Sequence, residues 1–187
     1  GIAEKQVPAL KPYRPQNLVR EFGRSLRREL DLAAECHNAE RIATNLMPLG
    51  FVVIPAVHWE HTSARLNVQT RILGTPGTDL ARVEAEGMDK VLLAKRGAQA
   101  VMKMIVEDGF FHADPHPGNV FYLPDNRLAF IDFGMVGRLS SRRREELLQL
   151  LLGLVQRRPQ AVADVLMDWA GAEANVQLNQ LEAEIEE

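Results

Sequence analysis

Residues 110–135 read FFHADPHPGNVFYLPDNRLAFIDFGM. Pro115 and Pro117 forbid a helix through HADPHPGN, because each removes an amide donor and restricts the residue before it. His112 and His116 are therefore not an i, i+4 pair on one helical face, and a zinc reading, which needs that helix, loses most of its weight. After the loop, NVFYL and RLAFID alternate apolar and polar residues on either side of PDN. Pro124 presets φ, and Asp125 and Asn126 tolerate the turn conformation that follows, so the spacing predicts a β-hairpin. Its two ends bring Asn119 and Asp132 together, with Asp114 five residues ahead of Asn119.

Two oxygen ligands converging at a hairpin mouth, beside a further carboxylate, suit Mg²⁺. That ion takes hard oxygen ligands and usually accepts only one or two from the protein. The plainer alternative is that Asp114 and Asn119 cap a tight loop while Asp132 closes a turn before Gly134. Any one of the three residues fits that alternative; the three in this order and spacing favour the metal site.

Protein kinases use H-R-D-x-x-x-x-N followed by D-F-G. Here His112, Asp114 and Asn119 stand at the first spacing, and Asp132-Phe133-Gly134 supplies the second. The wording is more specific still. GFFHADPHPGN, DFGMVGRL, RRELDLAAECHNAERI and VHWEHTSAR together resemble the UbiB/AarF-domain family of atypical kinase-like proteins, over roughly residues 16–170. The resemblance implies an α+β, protein-kinase-like fold. Its parts would be a partial N-lobe, with a helix and two antiparallel strands, and a mainly helical C-lobe carrying a catalytic-loop β-hairpin. It implies ATP and Mg²⁺ as cofactors and a link to ubiquinone or isoprenoid-lipid metabolism. Asp114 would be the catalytic aspartate, Asn119 and Asp132 would hold the metal, and His112 would orient the loop. The family's E-x-D motif matches Glu29 and Asp31, which join Asn119 and Asp132 as the nucleotide-binding set. The alternative for Glu29, Asp31 and Glu35 is a solvated helix face paired locally with Arg27 and Arg28.

The chain departs from the family in several places. No V-A-I-K-type strand carries a phosphate-pairing lysine: Lys5 and Lys11 lie among prolines, and Lys90, Lys95 and Lys103 lie in a predicted helix. A small-residue phosphate loop and the K-x-G-Q signature are missing too, so the chain is expected to begin inside the kinase-like domain and to have low activity alone. Gln69-Thr70 replaces the family's Met-Glu pair, and a polar residue in an adenine slot must be hydrogen-bonded or costs about 1–3 kcal/mol. Only residues 135–139 separate the DFG from the next helix, leaving no platform for a protein substrate. Arg142, Arg143 and Arg144 crowd the start of that helix, where cations oppose its dipole. A bound phosphate or headgroup is conceivable there; a solvated basic turn is the alternative.

Around this centre the chain reads as three stretches: an irregular one at 1–15, a partial N-lobe at 16–77 and a helical C-lobe at 78–187. Leu18, Phe22, Leu26, Leu30, Ala34, Ile42 and Leu46 predict a long helix capped by Asn17. Residues 51–57 and 65–73 predict two strands paired through a turn near 61–63 and belonging to a sheet that lacks its other members; Gly74, Pro76 and Gly77 read as a linker. Helix is predicted over 79–86 and over 88–107, the latter with a stripe of Val91, Leu92, Ala98, Val101, Met102 and Ile105 and a stop at Gly109. Two more helices are expected at 140–157 and from Pro159 to about 170, ahead of an acidic tail.

Composition permits this plan. The chain has 187 residues, 46% of them hydrophobic, enough for a core. Its formal charge of −3 gives no reason to expect nucleic acid as a partner. A single cysteine, Cys36, rules out an intrachain disulfide and fits a reducing compartment. No apolar run approaches the roughly 18 residues of a membrane span. The expected partners are a nucleotide and an isoprenoid lipid or quinone precursor. The expected location is the cytoplasmic side of a membrane, peripheral or held there by segments this chain lacks. The competing reading is a non-catalytic kinase-like module that binds lipid or protein.

Overall fold

The computed structural model describes residues 31–170. Asn17, Leu18, Phe22, Leu26, Glu29, Leu30 and the terminal stretches lie outside them. The described residues form an α+β structure: α1 (Leu32–Leu46), β1 (Val52–Val53), β2 (Thr75–Pro76), α2 (Leu80–Ala85), α3 (Lys90–Met102), β3 (Phe110–His112), β4 (Val120–Leu123), β5 (Arg127–Phe130), β6 (Val136–Arg138), α4 (Ser141–Val155) and α5 (Pro159–Ala170).

The hairpin forms as its sequence predicts. β4 and β5 pair antiparallel from Val120↔Phe130 to Leu123↔Arg127. In the turn, Asp125 and Asn126 take positive φ of 62° and 55°, the conformation that short polar side chains tolerate best after glycine. The hairpin sits inside a four-stranded sheet ordered β1-β5-β4-β2, and a second sheet joins β3 to β6.

The two flanking strands differ from expectation. Residues 51–57 and 65–73 do run antiparallel, but through a single bridge, Val57↔Gln69, with His58 N–H donating to Val68 O and Thr70 N–H to Ala56 O. The regular strand is β1 alone, and it pairs in parallel with β5, Val52 opposite Leu128. The partner of this apolar run is thus the hairpin itself, whose second arm offered a free edge. The supposed linker is a strand as well: β2 pairs with β4, Thr75 opposite Tyr122. Gly74 is required there by close approach, since a Cβ on it would lie 2.6 Å from Leu123 Cδ2 and 2.7 Å from Tyr122 O.

α1 starts at Asp31, whose carboxylate accepts from Ala34 N–H at 3.2 Å, and buries Cys36, Ala39, Ile42 and Leu46. α3 is capped by Asp89, which accepts from the N–H groups of Val91 and Leu92. Its buried face is Leu93, Ala100 and Met104, not the predicted stripe; Val91 is 64% and Met102 44% exposed. The small residues Gly97 and Ala100 let the sheet approach, and a count of large apolar residues misses that face. The last turn of this helix, Lys103–Glu107, is π-helical. Gly109, at φ +59°, then turns the chain into β3, a conformation costly for any residue with a Cβ. α4 and α5 pack where Gly153 meets Val162. One core cluster gathers Ala39, Ile42, Leu46, Ala100, Met104, Phe110, Phe130 and Phe133, so α1 and the DFG stretch share a single apolar centre. No helix among the described residues is long and apolar enough to cross a membrane.

Candidate functional site

The loop ahead of the hairpin is held from within. Asp114 O accepts from His116 N–H at 2.9 Å and from Asn119 Nδ2 at 3.3 Å. His116 Nδ1 accepts from Gly118 N–H at 3.0 Å. His112 is buried and bridges the two halves of the site. Its Nδ1 accepts from Asp114 N–H at 3.3 Å, which fixes the tautomer, so Nε2–H donates to Ile131 O at 3.2 Å. Its ring packs at 5.2 Å from that of Phe133. Burial pushes the imidazole below its ordinary pKa, against the stabilising carbonyl of Ile131 and the Asp132 charge; a neutral ring is what the two hydrogen bonds require. The orienting position expected of His112 has this local geometry.

Asn119 and Asp132 stand at the open end of the hairpin. Ile131 N–H donates to Asn119 O at 3.0 Å, continuing the ladder to the residue just before Asp132. The Asn119 side chain is buried, and its amide nitrogen is spent on Asp114 O. Its Oδ1 has no hydrogen-bond partner among the described residues. Asp132 takes φ +61°, with Oδ1 accepting from Gly134 N–H at 3.3 Å and Oδ2 without a hydrogen-bond partner among the described residues. Asp114 keeps its carboxylate exposed, 3.8 Å from His116 Nε2. One amide oxygen and a pair of carboxylates suit a hard divalent cation that keeps waters or phosphates as its other ligands.

The fourth member of this neighbourhood was read from sequence only as part of a solvated face. Glu35, on α1, is half-buried. Burial first, then the nearby Asp132 carboxylate, raise its pKa above the ordinary value, against a Phe133 backbone N–H that favours the charged form. Asn38, one turn on, donates from Nδ2 to Phe133 O at 3.1 Å. α1 therefore holds the DFG stretch at Phe133 O through Asn38. Asp31 is not in this grip; its carboxylate caps the helix. Glu29 lies outside the described residues. The signal that could have found Glu35 was its register: it precedes the buried Cys36 and is one turn ahead of the buried Ala39.

Gln69 is half-buried, and burial pushes the neighbouring Cys36 thiol up. The arginines at the start of α4 are engaged rather than open to a phosphate. Arg142 Nε lies 2.6 Å from Glu146 Oε1, and its Nη2 lies 3.0 Å from Asp168 Oδ2. Arg143 Nη1 is 2.8 Å from Glu146 Oε2. These arginines, with Trp169 Nε1–H, lower the Glu146 carboxyl to about 2. Arg144 donates to Glu107 O and Ser141 Oγ. Ser140, as N-cap, accepts from Arg143 N–H and offsets part of the conflict with the helix dipole.

The sequence matches the ABC1 atypical kinase-like domain over residues 1–166. A curated relative named probable protein kinase UbiB, from Aliivibrio salmonicida (strain LFI1238), is 34% identical over 94% of this chain and 34% of its own length. Another protein of that name, from Azotobacter vinelandii (strain DJ / ATCC BAA-1303), is 32% identical over 98% of this chain and 35% of its own. The chain thus spans about a third of the length of the curated relatives it matches. Among solved structures, that of Rv3197 in complex with erythromycin, from Mycobacterium tuberculosis, superposes with a TM-score of 0.67. It covers 97% of this chain and 47% of that one at 23% identity, a likeness of fold.

Proposed function

The chain belongs to the ABC1 atypical kinase-like domain family, and on that premise we propose that it carries the Mg²⁺-binding and catalytic-loop part of a UbiB-type, ATP-dependent kinase or ATPase. The reaction is linked to ubiquinone or isoprenoid-lipid metabolism. Residues 16–77 contribute to the N-lobe and 78–187 to the C-lobe. Asn119 and Asp132 would hold the cation, and a Mg²⁺ held there would supply positive charge to the phosphate oxygens of a transferring phosphoryl group. Asp114, exposed beside the loop, accepts the proton of the attacking hydroxyl or water. His112 keeps the loop and the hairpin end in register. Glu35 fixes the N-lobe side of the site against Phe133. The nucleotide and a lipid or quinone precursor are the partners, and the parent protein works at the cytoplasmic face of a membrane.

The observation that carries this reading is the hairpin end. The ladder from Val120↔Phe130 to Asn119 O and Ile131 N sets Asn119 across the hairpin end from the residue before Asp132, and Asn38 on α1 donates to Phe133 O. Turnover by this chain alone is low. Its described lysines, Lys90, Lys95 and Lys103, all lie on α3 and its π-helical continuation, and positioning of the phosphates supplies most of phosphoryl-transfer catalysis.

Calorimetric titration of the 187-residue chain with a non-hydrolysable ATP analogue tests the assignment. Binding should require Mg²⁺, and Asp132→Asn should remove that requirement's effect. Binding that ignores both Mg²⁺ and the substitution would leave a non-catalytic module.

A further inference from the structure

We propose that Arg41 and Arg138 form a second anion site, one that takes a phosphate group and ties α1 to the strand that follows the DFG. Phe110 is fully buried, and two guanidinium groups cover its ring. Arg41 Cζ lies 4.2 Å and Arg138 Cζ 5.2 Å from the same centroid. Both positions are built into the fold. Arg138 faces Phe110 across the β3–β6 ladder. Arg41 precedes Ile42, which anchors α1 in the core.

A guanidinium held over a ring by its cation–π attraction still has five N–H donors to satisfy. Arg142 and Arg143 spend those donors on Glu146, Arg82 on Glu86, and Arg96 on the carbonyls of Asp125 and Asn126. Arg41 and Arg138 have no such acceptor among the described residues. Two cations held against one ring repel each other, and a single ring quadrupole offsets only part of that. An anion between the two guanidinium groups removes the conflict. A carboxylate fills one arginine fork, whereas a tetrahedral dianion presents oxygens to two at once. That favours phosphate over a carboxylate.

The ligand would act at a distance from the nucleotide site. Arg41 rides on the helix that carries Glu35 and Asn38, and Arg138 on the strand reached directly from Asp132. A phosphate bridging them clamps the same two elements from the outside. The site stands whether or not a nucleotide binds at Asp132.

The test is a titration of the ¹⁵N-labelled 187-residue chain with inorganic phosphate at fixed ionic strength, followed by NMR. Saturable shifts should centre on the amides of Arg41, Phe110 and Arg138, and sodium chloride should not reproduce them. Arg41→Met and Arg138→Met keep the ring covered but remove the donors; each should weaken phosphate at least about tenfold, the loss expected for a charged hydrogen-bonding partner. Adenosine monophosphate without Mg²⁺ distinguishes the source of the group. Affinity equal to that of inorganic phosphate means the phosphate alone is read, and tighter binding with the same shifts means a phosphate carried on a nucleotide. Shifts centred elsewhere, no saturation, or methionine variants that titrate like the parent would overturn the site. Because the shift map is read on the unsubstituted chain, it decides the matter even if a variant folds poorly.

Discussion

The hairpin at 120–130 and the segment at 51–73 contain the same ingredients, apolar alternation on either side of a polar turn, and they end up differently. The hairpin closes a full antiparallel ladder of four residue pairs. The segment holds itself together by one bridge and gives its best strand to the hairpin. The turns account for the contrast. Pro124-Asp125-Asn126 reverses the chain within three residues, at φ values its side chains accept. Residues 58–66 instead make a short 3₁₀ turn, Trp59–His61, and a second small bridge, Ser63↔Leu66, so the arms cannot zip. A strand without a tight turn pairs with whatever edge is nearest. Here that edge belongs to the candidate site, so the strand at Val52–Val53 leans on the hairpin.

The contrast can be broken most sharply at the core. Phe133 is fully buried in the cluster shared with α1, so Phe133→Ala should cost about 3–5 kcal/mol in urea denaturation. Val53→Ala, on a half-buried two-residue strand, should cost only about 1 kcal/mol. Equal losses would mean the two regions are equally committed to the core. Native-state hydrogen exchange should show the same ordering: amides of 120–130 should open with a free energy at least about 2 kcal/mol above those of 57–70, which sit toward the locally unfolding end. Matching protection would erase the distinction. Gly74→Ala sharpens the account of β2. Overpacking against Leu123 and Tyr122 O should cost about 1–3 kcal/mol, and a neutral result would restore the linker reading.

The smallest expected effect concerns pH. The folded-state pKa of His112 is lowered by burial from the ordinary value of 6.5, so the unfolded chain takes up a proton more readily than the folded one. Stability from a neutral His112 is therefore full above about pH 6.5 and falls as pH drops through that value toward the folded pKa. Subtracting the stability profile of His112→Asn from that of the parent should isolate this loss; a flat difference between pH 7 and 5 would show that the ring is not held neutral.

What the sequence disclosed follows the same physical line. The hairpin, the stop at Gly109 and the break at Pro159 rest on local backbone chemistry, which a few neighbouring residues determine. The family's motifs also identified the kinase-like fold. The α3 face, the strand at Thr75–Pro76 and the parallel pairing of β1 were hidden. In each, the deciding contact lies tens of residues away, and small or punctuating residues, Gly97, Ala100 and Gly74, mark it by what they leave out. The candidate site was legible where a motif names it. Glu35 was not, because a glutamate among arginines on a helix looks the same whether it faces water or Asp132.

Asp132 adopts a left-handed backbone conformation that costs a residue with a Cβ roughly 1–2 kcal/mol relative to glycine. The substitution that most relaxes the chain at this point is thus the one that deletes the carboxylate. A library of variants screened only for folding should gather glycine at 132, while one screened for cation binding should purge it. The divergence of the two pools at a single codon would measure how far this position is kept for chemistry against the wishes of the fold.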